Sequence, residues 1–112
     1  MDHVRDFAAI TGGSADKMRK VNLFETPRFF CDVYVLKPGQ SQPPHAHAAS
    51  DKVYAVLSGS GAIRVGADRH EVRAGHAVLC PAASDHGVEN TGCDDLRLLV
   101  FMAPHPKPPI AG

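Results

Sequence analysis

Two histidines, His45 and His47, stand two residues apart directly after Pro43-Pro44. On an extended backbone residues i and i+2 face the same side, so both imidazoles enter one space. Neutral imidazole is a ligand for zinc, iron, nickel, copper or manganese. A pair of this kind needs a third donor from elsewhere in the chain, and His86 is the candidate. Just beyond the pair runs Asp51-Lys52-Val53-Tyr54-Ala55-Val56-Leu57, which has strand character. Lys52, Tyr54, Val56 and Ser58 share one face of that strand, and Asp51, Val53, Ala55 and Leu57 share the other. On apolarity alone the second face is the better inward candidate, which would offer Asp51 as a ligand. Gln40 and Gln42 are placed to reach the mouth of a cavity. His70 and His76 flank a turn and are expected at the surface, while His3 and His105 lie in terminal segments.

The elements that must carry these groups are short. Extended runs at Met18–Phe24, Arg28–Leu36, Pro43–His47, Lys52–Leu57, Ala62–Val65, Arg69–Arg73, Ala77–Cys80, His86–Asn90 and Leu96–Met102 alternate with turn residues every 8–12 positions. That cadence predicts an all-β barrel or two-sheet sandwich. Ser58-Gly59-Ser60-Gly61 reads as a hairpin loop between two of the strands. Residues 2–10 are expected to form one or two helical turns, with Asp2 as N-cap and Val4, Phe7 and Ala8 on the packed side. Residues 1–16 are thus an N-terminal arm. The tail, 104–112, holds four prolines, cannot join a sheet interior and is expected to hug the surface or move freely.

A chain of 112 residues is long enough for one domain with one core. Twelve basic and twelve acidic residues cancel, which gives no electrostatic footprint for nucleic acid or an anionic membrane. No apolar stretch approaches the roughly 20 residues of a membrane span, and the N-terminus lacks a signal core. Cys31, Cys80 and Cys93 are odd in number and lack CxxC spacing, so they read as reduced thiols of a cytoplasmic protein.

Two segments carry a resemblance. Gly39-x5-His45-x-His47-x4-Lys52-x6-Gly59 resembles the first motif of the cupin family, G-x5-H-x-H-x3–4-E-x6-G. Gly75-x5-Pro81-x-Ala83-x2-His86-x3-Asn90 resembles the second, G-x5-P-x-G-x2-H-x3-N. The departures are Lys52 where the family has glutamate and Ala83 where it has glycine. The likeness spans about residues 17–103 and implies a single domain. Its fold would be the cupin double-stranded β-helix, a jelly-roll barrel, with the short helical arm in front of it. It further implies one divalent transition metal (zinc, iron, nickel or manganese) in the barrel, with His45, His47 and His86 keeping ligand identity, and a homodimer. The apolar outer faces of Arg28–Leu36 or Leu96–Met102 would suit that dimer.

Lys52 stands where the carboxylate ligand belongs, and three outcomes follow. Lys52 points away and pairs with a carboxylate such as Asp51. It sits neutral near the metal as a base or substrate contact. Or its charge replaces the metal and the cavity binds an anion. The x6 spacing to Gly59 favours the register that turns Lys52 and Tyr54 inward. In lyase members of the family a tyrosine two residues after the glutamate is the catalytic base, a role the resemblance extends to Tyr54; a core tyrosine with a satisfied hydroxyl is the plainer alternative. Three-histidine cupins without the glutamate include thiol and diketone dioxygenases. The function classes left open are oxygenation, isomerisation or lyase chemistry on a small polar metabolite, a non-enzymatic module that binds a metal or small ligand as sensor, carrier or store, and a structural dimer with a vestigial site.

Overall fold

The computed structural model describes residues 2–107. Nine strands follow one another: β1 (Arg19–Thr26), β2 (Phe29–Leu36), β3 (Ser41–His45), β4 (Asp51–Ser58), β5 (Ser60–Val65), β6 (Asp68–Arg73), β7 (Ala77–Cys80), β8 (His86–Glu89) and β9 (Leu96–Ala103). They form two antiparallel sheets, one ordered β1-β2-β9-β4-β7 and the other β3-β8-β5-β6. The nine expected runs are all present, with ends shifted by two residues or fewer. The sheets face each other as the two walls of a jelly-roll barrel.

Period-2 alternation sets what lies between the sheets. In β4, Lys52, Tyr54 and Val56 are buried while Asp51 is exposed, so the inward face is the one favoured by the spacing to Gly59 rather than by apolarity. Tyr34, Leu36, Tyr54, Val56, Ile63, Leu98 and Val100 belong to one apolar cluster that fills the interior. A second cluster, Leu23, Cys31, Val33 and Val35, lies on the opposite face of β2. β2 is therefore apolar on both sides, because something covers its outer side as well.

The cover is the N-terminal arm. Phe7 and Ile10 pack on the second cluster, and the Arg97 guanidinium donates to the carbonyls of Ile10 at 2.9 Å and Phe7 at 3.0 Å. The expected helix is only a single 3-10 turn, Phe7–Ala9, capped by Asp6 and not by Asp2. Val4, expected on the packed side, is exposed. A stretch of nine residues, 2–10, is too short to sustain an α-helix by itself, because helix nucleation is costly. Binding of the arm's carbonyls to Arg97 holds it in an irregular course instead.

The Ser58–Gly61 segment is likewise not a hairpin loop. β4 and β5 lie in different sheets, so the chain turns a corner from one wall to the other at Gly59. Gly59 has φ +83°, and a Cβ there would lie 2.4 Å from the Asp95 carbonyl oxygen. Only glycine satisfies both constraints. The start of the C-terminal tail is tied down rather than free. His105 donates its backbone N–H to the Arg28 carbonyl at 2.9 Å, and its Nε2 meets the Glu25 carboxylate at 2.7 Å. The remainder of the expected tail, 108–112, lies outside the described residues.

Candidate metal centre

His45 ends β3 and His86 begins β8, and the two are direct cross-strand partners. Antiparallel pairing therefore brings their rings together, with centroids 4.5 Å apart. His47 follows two residues on and closes the group, its ring centroid 5.0 Å from His45 and 5.8 Å from His86. One ligand atom from each of the three lies within 4.8 Å of the others. The loops that follow are stitched to this end. The backbone N–H of Ala83 donates to the His47 carbonyl at 2.8 Å. Ala83 itself has φ +69°, the left-handed region that glycine favours. The glycine of the family motif is thus a backbone requirement that this chain meets with alanine.

The rings are oriented from behind. His45 Nδ1 lies 3.0 Å from the Pro43 carbonyl and His86 Nδ1 3.2 Å from the Ser84 carbonyl. A carbonyl only accepts, so each Nδ1 carries the proton and each Nε2 keeps its lone pair. His86 Nε2 is buried and has no hydrogen-bond partner among the described residues. A buried lone pair left open beside two other imidazoles fits a metal better than a packed core. Burial, with the nearby Lys52 charge and the other two histidines assisting, pushes His86 down to about 4 against its hydrogen bond to Ser84. His47 is lowered by burial first and by His45, Lys52 and Lys20 after it. Both shifts favour the unprotonated ring that a metal needs.

Lys52 faces the histidines from the opposite sheet. It is only 1% exposed, set between Met102 and Cys80 on the neighbouring strands. Its Nζ lies 4.8 Å from the centre of the Tyr54 ring and 5.1 Å from that of Tyr34. It does not point away to pair with Asp51. That carboxylate is exposed on the other face of β4 and accepts the Ala82 N–H at 2.8 Å, so it fastens the loop before β8 and stands outside the histidine group. Burial, with repulsion from Lys20, pushes Lys52 down to about 8. The Tyr54 hydroxyl donates to Gln42 Oε1 at 2.9 Å, and burial raises its phenol well above the ordinary value.

Of the two glutamines, only Gln42 reaches the cavity. Gln40 accepts the Lys37 N–H and donates to the Ser14 carbonyl at 2.7 Å, tying the arm to the β2–β3 turn. The cavity beside the histidines has a volume of about 230 Å³ and is lined by Tyr34, Gln42, His45, His47, Lys52 and Met102, with Lys20 and Pro106 at its lip. Tyr34, Lys20 and Pro106 lie outside the set that the motifs single out. The inward parity of Phe30, Asp32, Tyr34 and Leu36 along β2 carries a signal for Tyr34, because a tyrosine and an aspartate on an otherwise apolar face need a reason.

Residues 32–102 match the cupin domain family, and the chain belongs to that family. The fold superposes on the crystal structure of TT1209 from Thermus thermophilus with a TM-score of 0.90 and 37% identity, over 94% of this chain and all of that one. An uncharacterised protein of Streptomyces coelicolor is 40% identical over 74 residues, 64% of this chain and 67% of that one. The oxalate-binding protein of Thermotoga maritima is 31% identical over 67 residues, 60% of this chain and 55% of that protein.

Proposed function

We propose that this protein holds one divalent transition metal on His45, His47 and His86 and uses it to bind or transform a small polar metabolite in the adjoining cavity. The observation that carries the reading is the open lone pair of buried His86 Nε2, in a group of three histidines that each offer a ligand atom within 4.8 Å of the others. Three imidazoles are a sufficient donor set, and a metal bound there would supply Lewis acidity at positions left open to water or ligand. Lys52 and Tyr54 are the residues proposed to meet the small molecule. Tyr54, protonated and hydrogen-bonded to Gln42, is suited to donate a hydrogen bond rather than to act as a resting base.

A non-enzymatic role, as a carrier or sensor of a small ligand or metal, is the second reading. It is favoured by the oxalate-binding relative, whose name describes binding and not turnover. The outer face of β9, β4 and β7 presents Phe101 and Leu79 to solvent, and we propose this apolar face as the contact of a homodimer. Three unpaired cysteines suit a reducing, cytoplasmic setting. Among the described residues no helix is long and apolar enough to cross a membrane.

Metal analysis of protein made without a polyhistidine tag, after loading with zinc, iron, nickel or manganese, tests the site. One equivalent in the wild type and loss of it in His86→Ala is the expected result. A wild type that retains no metal, or a His86→Ala variant that retains it in full, defeats the proposal. Oxygen uptake with thiol and diketone substrates separates turnover from binding.

A further inference from the structure

Where the family carries a metal-binding carboxylate, this chain has a fully buried ammonium with no counter-ion among the described residues. The four ion pairs among those residues join Arg5 to Asp2, Arg69 to Glu71 and Glu89, and His105 to Glu25, and none includes Lys52. Its one polar contact is a long 3.5 Å approach to Gln42 Oε1, an oxygen that already accepts from Tyr54. A second ammonium, Lys20 Nζ, lies 5.3 Å from the centre of the same Tyr34 ring that Lys52 approaches. The carboxylate on this wall, Asp32, accepts from Asn22 at 2.8 Å and comes within ion-pair distance of neither lysine. Burial disfavours its charge, against Asn22 and the charges of Lys20 and Lys52, so it offsets the two ammonium groups only from a distance.

A buried unpaired charge costs several kcal/mol unless something compensates it. The surroundings of Lys52 compensate it with two ring faces, which are worth about 1–2 kcal/mol each when desolvated. Three neutral imidazoles bring no negative charge to the opposite wall, so a dication on them would add to the excess. Two cations, an amide and a phenol therefore border one cavity, and the missing element is an anion. The cavity of about 230 Å³ suits a compact anion.

We propose that the cavity is an anion seat, in which Lys52, assisted by Lys20 at the lip, receives the carboxylate of a small organic acid whose other polar end reaches the three histidines. This deepens the functional reading above by naming the ligand class, and its histidine end rests on that reading. The lysine end does not. Replacing a carboxylate by an ammonium inverts the charge that the site selects, so neutral sugars and cationic ligands are disfavoured and short mono- and dicarboxylates preferred. Tyr34 is a positioning residue in this arrangement, since its ring holds both ammonium groups beside the same space.

Titration calorimetry with malonate and with its uncharged isostere malonamide, on metal-free and on zinc-loaded full-length protein, tests the proposal. Malonate is expected to bind metal-free protein at least tenfold more tightly than malonamide. Lys52→Met is expected to lose tenfold or more of that affinity and Lys20→Met about threefold, while zinc content is unchanged in both. Equal binding of the two probes, no malonate binding by the wild type at 10 mM, or full malonate affinity in Lys52→Met each overturns it. Should Lys52→Met fail to fold, the Lys52 side-chain nitrogen resonance of the wild type decides: it shifts on malonate addition, or the proposal falls. Loss of zinc binding by the wild type with retained malonate selectivity would instead sink only the three-histidine reading.

Discussion

Lys52 shows how much a single substitution can shape a cavity. Its ammonium is held down to about 8, chiefly by burial. Between about pH 8 and the ordinary value of 10.5 the unfolded chain binds more protons than the folded one, so Lys52 makes stability rise with pH across that window. Tyr34 and Tyr54 act in the opposite sense only above about pH 10, where the unfolded phenols ionise first. Cys80 on the neighbouring strand, raised from 9 to about 11 by burial, acts against this from pH 9 upward. Denaturant midpoints should therefore climb between pH 8 and 9, and Lys52→Met should flatten the climb. The same variant replaces a buried charge by an apolar chain of similar volume and should gain about 2 kcal/mol at pH 7, read from urea unfolding. Ala83 is the second case. An L side chain at φ +69° is strained, so Ala83→Gly should gain roughly 0.5–1 kcal/mol, raising Tm by a few degrees in a calorimetric scan.

At the scale of elements, the pairing of β3 with β8 is what makes a site from residues 41 positions apart in the sequence. The two motifs are legible because each couples a ligand to turn residues at fixed distances, and the turns carry the register. Gly59 is the clearest example. It marks the inward face of β4 correctly, yet its turn reads as a hairpin, because a local Ser-Gly-Ser-Gly string does not say whether the next strand pairs with the last or crosses to the other sheet. That difference depends on Asp95 and Leu96, which crowd Gly59 from 36 or more residues away. Gly59→Ala should cost more than about 2 kcal/mol in urea unfolding, since its Cβ would meet backbone and not a flexible side chain. The arm departs from its expected helix for a related reason: its course is set by Arg97 and the outer face of β2, neither of which leaves a trace in residues 2–10. Gln40 and Gln42 share residue type and neighbouring positions, and only the packed structure divides them between arm and cavity.

At the scale of the molecule, the barrel is asymmetric, with apolar packing around Leu36, Ile63, Leu96 and Leu98 and titratable groups gathered beyond it. His86, pushed down to about 4 mainly by burial, resists protonation in the folded state. Its contribution to stability is whole above about pH 6.5 and is lost as pH falls toward 4. Urea midpoints of the metal-free protein should decline over that range, and less so in His86→Gln. Zinc at 100 times its dissociation constant should add about 2.7 kcal/mol at neutral pH, seen as a thermal shift that disappears as the imidazoles protonate. Pro106 borders the cavity, so the segment that follows β9 passes the lip of the binding site. A group attached seven residues beyond Pro106 stays within about 25 Å of that lip. An affinity handle of six histidines within that reach would compete for the very ion it is used to purify with.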